Sequence, residues 1–289
     1  MRYIIDNAHP DYTNILKNLF KNKDIVVKDF SQDKDLSFLK KEDCLVLSVS
    51  SIIDNENLFF NLRQSILCYT ANRLSDEMYK YYGYKKNVKG FICSSIENQT
   101  LLNSLSINNF FVPNIYPELK NIINLNFNCE KISSLINRYE FISKKFEFND
   151  LNSYKVFEKI KANNPNLELY DQSTPVHGKD TDILINSKYC LHIKYWGHVC
   201  NAPLKALALG VPVIMDDITY RLGGYSYYIQ HGFNGIIVRN HGDIIELLKN
   251  NIYNNLYNNL KINCINFRNK FIDNYSDLFY NNFENFLNE

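Results

Sequence analysis

The chain has no dominant charge: 32 Lys and Arg stand against 31 Asp and Glu, a net of +1. That balance argues against a global field that would recruit nucleic acid or an acidic membrane surface, although a local basic groove would survive it. There is no CxxC pair, and the seven cysteines (Cys44, Cys68, Cys93, Cys129, Cys190, Cys200 and Cys264) are scattered. Several sit in apolar runs, where a thiol packs as a small hydrophobe. No metal site and no disulfide framework is expected, and a reduced, cytoplasmic setting is. The opening MRYIIDNAHPDY has too short an apolar run and too early an acid for a secretory signal. Nothing approaches the roughly 20 apolar residues of a membrane span, which leaves peripheral contact as the only membrane role expected. Nor does an internal repeat stand out.

What the sequence does have is alternation. Its 289 residues, 45% hydrophobic, suffice for two domains with separate cores. Arg2–Ile5, Ile25–Val27, Cys44–Val49, Gly90–Ser94 and Phe110–Val112 read as short strands, with helices over Tyr12–Phe20 and Glu97–Leu105. Leu58–Leu67 and Asp76–Tyr82 are ambiguous. From Tyr116 to Ser134 the periodicity dissolves, as in a linker. Alternation restarts with strands over Tyr139–Phe148, Leu167–Tyr170, Tyr189–Lys194, Val211–Met215 and Gly235–Val238. Helices are predicted over Ser153–Lys161, Thr181–Lys188, Asn201–Leu209, Gly224–His231, Asp243–Asn250 and a long Ile262–Leu287 with aromatics at helical intervals. Strands alternating with helices imply parallel sheets. The expected fold is therefore α/β, with two Rossmann-type doubly wound domains facing a cleft. Their bounds are 1–125 and 126–260, followed by a C-terminal helix over 261–289.

The most informative stretch is KYWGHVCNAPLKALALGVPVIMDD, Lys194–Asp217. A strand ends near Lys194 and a loop leads to a helix opening at Asn201, a good N-cap residue, with Pro203 in the first turn. Gly210 closes the helix as a residue able to take φ > 0. This order turns free N–H groups and the positive end of a helix dipole toward a ligand, a ready site for a diphosphate.

Ala206-Leu207-Ala208-Leu209-Gly210-Val211-Pro212-Val213-Ile214, then Gly223-Gly224, then Gly232-Phe233-Asn234-Gly235-Ile236-Ile237-Val238 resembles the signature of the family 4 (group 1) glycosyltransferases of the GT-B fold. Ser94 and Val112-Pro113-Asn114 extend the resemblance more weakly, to about half the chain. The resemblance implies transfer of a sugar, with retention and without an obligatory metal, from a nucleotide-diphosphate-sugar co-substrate to a glycan, protein or lipid acceptor. It also implies that the 261–289 helix packs back on the N-terminal domain. The departures concern polar groups. The family's two glutamates fall at Gly197 and Lys205, a third at Tyr227, and Asp6-Asn7-Ala8-His9-Pro10 replaces the Gly-rich loop. They leave open an unusual donor, another way of holding it, or lost activity.

Donor-binding candidates are Lys144, Lys194, Gly197, His198, Asn201 and Lys205; His9 and His198 are the weak catalytic candidates, each with a structural role as the alternative. Lys144-Lys145 also reads as a plain surface face. Lys205 in the first turns of a helix opposes the dipole, so it either meets an anionic ligand or snorkels to solvent. Asp180-Thr181-Asp182 has the letters of a metal-binding DxD but reads as a helix cap, and Asp216-Asp217 lacks the spacing. Two other readings stand beside the transferase: a lapsed GT-B module that binds or scaffolds, and a DNA-modifying glycosyltransferase.

Overall fold

The short apolar runs of the first half become parallel strands because both their faces are buried. The computed structural model describes all residues except 8–9, 71–74, 114–115, 117–118, 120–121, 123–125, 137–150, 172–178, 196–199, 251–253, 274–276 and 289. The chain divides into unit 1, Met1–Asn114 with Tyr275–Glu289, and unit 2, Ile115–Asn274.

Unit 1 runs β1 (Arg2–Asp6), α1 (Pro10–Leu19), β2 (Asp24–Lys28), β3 (Cys44–Ser48), α2 (Val49–Asp54), α3 (Glu56–Phe60), β4 (Ser65–Thr70), α4 (Asp76–Gly83), β5 (Val88–Cys93), α5 (Ile96–Ser104) and β6 (Asn109–Phe111). The sheet order is β2-β1-β3-β4-β5-β6, and every pairing is parallel. Successive side chains feed opposite cores. Tyr3 and Ile5 of β1, with Cys44 and Val46 of β3, join α1 on one face; Ile4, Leu45 and Leu47 join α2 to α5 on the other. Ser48, Ser75 and Ser95 cap α2, α4 and α5, each hydroxyl accepting a first-turn amide.

Unit 2 runs β7 (Ile132–Ile136), α6 (Leu151–Ala162), β8 (Leu167–Asp171), α7 (Asp180–Ile185), β9 (Tyr189–Leu191), α8 (Asn201–Ala208), β10 (Val213–Asp216), α9 (Asp217–Leu222), β11 (Gly235–Val238), α10 (His241–Asn250) and α11 (Asn254–Asp273). Its parallel sheet has the order β11-β10-β9-β7-β8. The remaining helix, α12 (Asp277–Asn288), belongs to unit 1, where Phe283 and Phe286 complete the α1-side core. Among the described residues no helix is long and apolar enough to cross a membrane.

Three expectations change, and a fourth falls outside the described residues. The stretch 116–134 contains the start of β7, whose Ser133 and Ser134 are polar yet buried: Ser133 pairs with Ser187 at 2.5 Å, and Ser134 donates to the Leu191 carbonyl at 2.7 Å. The strand predicted over 139–148 lies outside the described residues. Gly224–His231 forms turns, not a helix. Tyr225, Tyr228 and Ile229 are buried at helix-like spacing, but Gly224 and Gly232 take φ of 66° and 75°, and Asn234 bridges the Gln230 amide and the Tyr228 carbonyl. The long C-terminal helix is two helices, α11 in unit 2 and α12 in unit 1.

At the amino end of β1, Asp43 is buried and accepts Arg2 Nη2 at 2.6 Å and the Lys40 amide at 2.8 Å. Burial works to raise the Asp43 carboxyl, but Arg2 and the Lys40 amide hold it below its ordinary value. Because its folded value is depressed, its contribution to stability is complete above about pH 4, the ordinary Asp range, and is lost as pH falls through the folded value. Asp43→Asn is expected to lower stability at neutral pH and to flatten the acid limb of a pH–urea series. An unchanged acid limb would remove this assignment.

Candidate functional site

Open parallel sheets hold ligands outside the carboxyl ends of their strands, where the connections switch faces. In unit 2 that point lies between β7 and β9. Beyond β9 the chain continues through His192, Ile193 and Lys194, all buried. The His192 amide donates to the Ile214 carbonyl at 2.9 Å and the Lys194 amide to Thr219 Oγ1 at 3.0 Å. Tyr195 Oη then donates to Asp216 Oδ2 at 2.7 Å. Asp216, the buried last residue of β10, uses Oδ1 to cap α9, accepting the Thr219 amide at 2.8 Å. One carboxylate therefore fixes both the start of a helix and the first ring of the loop after β9.

The far end of that loop is tied by Tyr225. Its hydroxyl accepts the Cys200 amide at 2.9 Å and lies 3.1 Å from His192 Nε2. Burial pushes the Tyr225 phenol well above its ordinary value, so it stays a neutral hydroxyl. Cys200 is the N-cap position of α8, with extended backbone and no side-chain cap bond. The expected cap, Asn201, is instead the first helical residue, because the Tyr225 hydroxyl binds the Cys200 backbone and sets the turn one residue earlier. At its other end α8 closes as foreseen: Gly210 has φ of 76°, the Val211 amide bonds the Ala206 carbonyl at 2.8 Å and the Gly210 amide bonds that of Leu207 at 3.0 Å.

Lys205 does not snorkel to solvent. Its side chain is 12% exposed, and Nζ lies 2.6 Å from Asp180 Oδ2 on a carboxylate 17% exposed. The ring of Tyr116 stands 5.4 Å away. Asp180 is the first residue of α7 rather than its cap, a position held by Lys179 without a side-chain bond. α8 has only 8 residues, so Lys205 falls in its last turn, where the dipole does not oppose it as the sequence suggested; its charge is balanced by an acid at the start of α7, where that acid also suits the helix dipole.

Of the predicted residues, Lys194, Asn201 and Lys205 lie along the segment that leaves β9 and enters α8. His9, Lys144, Gly197 and His198 lie outside the described residues. Tyr195, Asp216, Tyr225 and Asp180 escaped the sequence reading. Asp216 has a sequence signal only as half of an Asp-Asp pair, Asp180 reads as a helix cap with the letters of a DxD, and Tyr225 reads as part of a helix that does not form.

No family model matches the sequence, and no curated protein matches it. Solved structures do match. HepE of Anabaena, in complex with UDP and glucose, superposes with a TM-score of 0.69 at 8% identity, over 100% of this chain and 99% of its own. Sucrose-phosphate synthase from Thermosynechococcus elongatus gives 0.63 at 10% identity, over 100% and 98%. TarM, of which an S. aureus form is known with UDP, gives 0.63 at 15% identity, over 88% of this chain but only 57% of TarM. At these identities the likeness defines the fold. The chain is an α/β protein of the GT-B type, with two Rossmann-like units.

Proposed function

We propose that the chain is a glycosyltransferase that takes a nucleotide-diphosphate-sugar at the carboxyl end of the unit 2 sheet. The observation that carries this reading is the bonding that frames the loop after β9, with Asp216 holding Tyr195 and Tyr225 holding Cys200 at the start of α8. It fixes a helix N-terminus beside the switch point of a doubly wound sheet, where a diphosphate is stabilised by first-turn amides and the dipole. HepE in complex with UDP-glucose supports the choice of donor class. In the reaction the bond from the anomeric carbon to the diphosphate oxygen breaks and a bond to an acceptor hydroxyl oxygen forms. The hydroxyl proton leaves with the diphosphate. Lys194, and Lys144 and His198 from the sequence, are the groups proposed to favour that departure electrostatically. Retention, independence of metal, a cytoplasmic setting and a glycan, protein or lipid acceptor complete the proposal.

The test is a panel of UDP-, GDP- and ADP-sugars, scored by thermal shift and by release of nucleoside diphosphate. A donor at a hundredfold excess over its Kd is expected to raise Tm by roughly 5 °C. No shift and no turnover with any donor would refute the proposal. A second reading, a module that binds without turnover, draws on the Lys205–Asp180 pair, which puts a neutralised cation where the resemblance places a glutamate. Donor binding with no turnover against any acceptor would favour it.

A further inference from the structure

At the amino end of the unit 2 sheet, opposite the strand ends that carry the proposed donor site, the packing leaves a cavity of about 40 Å³. It lies between the starts of β7 and β9, the turn from α6 to β8, the last turn of α10 and the first residue of α11. A cavity needs about 10–15 Å³ to hold one water, so this one has room for roughly three, or for a ligand of a few heavy atoms. Its rim is fixed by backbone bonds. The Ile132 amide donates to the Asn166 carbonyl at 2.9 Å, the Lys188 amide to that of Lys131 at 2.7 Å, and the Leu167 amide to that of Asn164 at 3.2 Å.

The lining divides into an apolar and a polar part. Ile132, Leu247 and Leu248 form a wall continuous with the core. The polar part holds a cation and an amide. Lys188 Nζ, on a side chain 11% exposed, makes one hydrogen bond among the described residues, to Asn254 Oδ1 at 2.8 Å, and the Tyr257 ring stands 5.4 Å away. Its ion-pair partner Glu130 is 76% exposed and 3.8 Å away, beyond hydrogen-bond reach, so a hydrated acid offsets little of a buried ammonium. Asn164 is 8% exposed, and its side-chain amide has no hydrogen-bond partner among the described residues. That amide is not sealed from solvent, and Asn164 lines the cavity, so the unpaired group is open to what occupies it. A buried cation with donors to spare, beside an unpaired amide, suits an oxyanion. The wall narrows the class. Inorganic phosphate loses hydration against apolar side chains, whereas a carboxylate with a short alkyl chain matches both parts of the lining.

We propose that this cavity is a binding site for a small aliphatic carboxylate, its oxygens received by Lys188 Nζ and the Asn164 amide and its alkyl end by Leu247 and Leu248. The site stands apart from the loop after β9, and it does not depend on the transferase reading. Isothermal titration of the full chain at constant ionic strength would compare propionate with its neutral isostere propionamide and with inorganic phosphate. Propionate is expected to bind with a Kd of about 1 mM, a strength within reach of so small a ligand. The other two are expected to bind about tenfold more weakly or not at all. Lys188→Met keeps the length of the side chain without its charge and should weaken propionate about tenfold, the order of one charge-assisted hydrogen bond. Asn164→Ala should weaken it severalfold. Circular dichroism would confirm folding, with Asn164→Ala carrying the test if Lys188→Met does not fold. Propionate binding is also expected to persist in the presence of UDP. No propionate binding, equal or tighter binding of propionamide or phosphate, or unchanged affinity in the folded variants would overturn the proposal. Displacement by UDP would overturn it too, by assigning the anion to the donor site.

Discussion

Lys205→Glu is expected to lower the stability of unit 2 by about 3–5 kcal/mol, the usual consequence of breaking a largely buried ion pair, and not to return a working acid to the proposed donor site. The resemblance to family 4 transferases makes this the obvious repair, since a glutamate is expected at that position. In the structure the new carboxylate would face Asp180, 2.6 Å from where the ammonium stood and only 17% exposed. Two carboxylates that close cannot both be ionised without penalty, so the variant loses an attraction and gains a repulsion. The exchange Lys205→Glu with Asp180→Lys restores the opposite charges and should recover most of the loss. Urea unfolding of the wild type, both single variants and the exchange forms a double-mutant cycle. If Lys205→Glu is as stable as the wild type, the pair does not hold α7 to α8. Only in the folded exchange variant does a donor assay ask whether an acid at 205 assists turnover.

The second large effect concerns α12. Phe283→Ala is expected to cost about 3–5 kcal/mol, as for truncation of a buried Phe, and to lower Tm by roughly 10 °C. Phe283 is fully buried in the α1-side core of unit 1, its ring 5.0 Å from that of Phe20 and 5.1 Å from that of Phe110. Phe110 also stacks on Phe286 at 5.6 Å, so the helix is held by a cluster and not by one contact. Differential scanning calorimetry of the wild type and Phe283→Ala tests this, with Phe279→Ala, at the partly buried margin of the same core, expected to cost less. Equal losses at the two positions would mean that burial does not decide the contribution.

Much of the fold was legible because buried parallel strands leave continuous apolar runs. Cys44–Ser48 and Gly235–Val238 could hardly be anything else. Where the reading failed, a second principle overrode the pattern. β7 hides polar serines at its centre because Ser187 and the Leu191 carbonyl satisfy them, so the run lacks the hydrophobic mark of a strand. Residues 224–231 carry helix-like spacing, but two glycines at positive φ and the Asn234 bridge fold them as turns. The last helical stretch kept its aromatic rhythm across a change of unit, which periodicity does not register. The frame of the candidate site was legible in part. Gly210 and the position of α8 came from local rules, whereas the roles of Tyr225 and Asp216 depend on bonds spanning 25 and 21 residues. No spacing rule links such positions. Lys205 shows the same limit: its sequence neighbours predict an unfavourable charge, and its partner lies 25 residues away.

The place of α12 also has a consequence for the order of events during synthesis. Unit 2 is one continuous stretch, Ile115–Asn274, whereas unit 1 needs residues from both sides of it. Domains usually mature from the N-terminus as the chain emerges, at about 5–20 residues per second. Here all six strands of unit 1 leave the ribosome first, yet the α1-side core around Phe20 and Phe110 stays incomplete until Phe283 and Phe286 arrive. At ordinary elongation rates that wait is roughly ten to thirty seconds. The later unit can finish first, and the apolar face of the earlier one is the surface a chaperone would meet on the nascent chain.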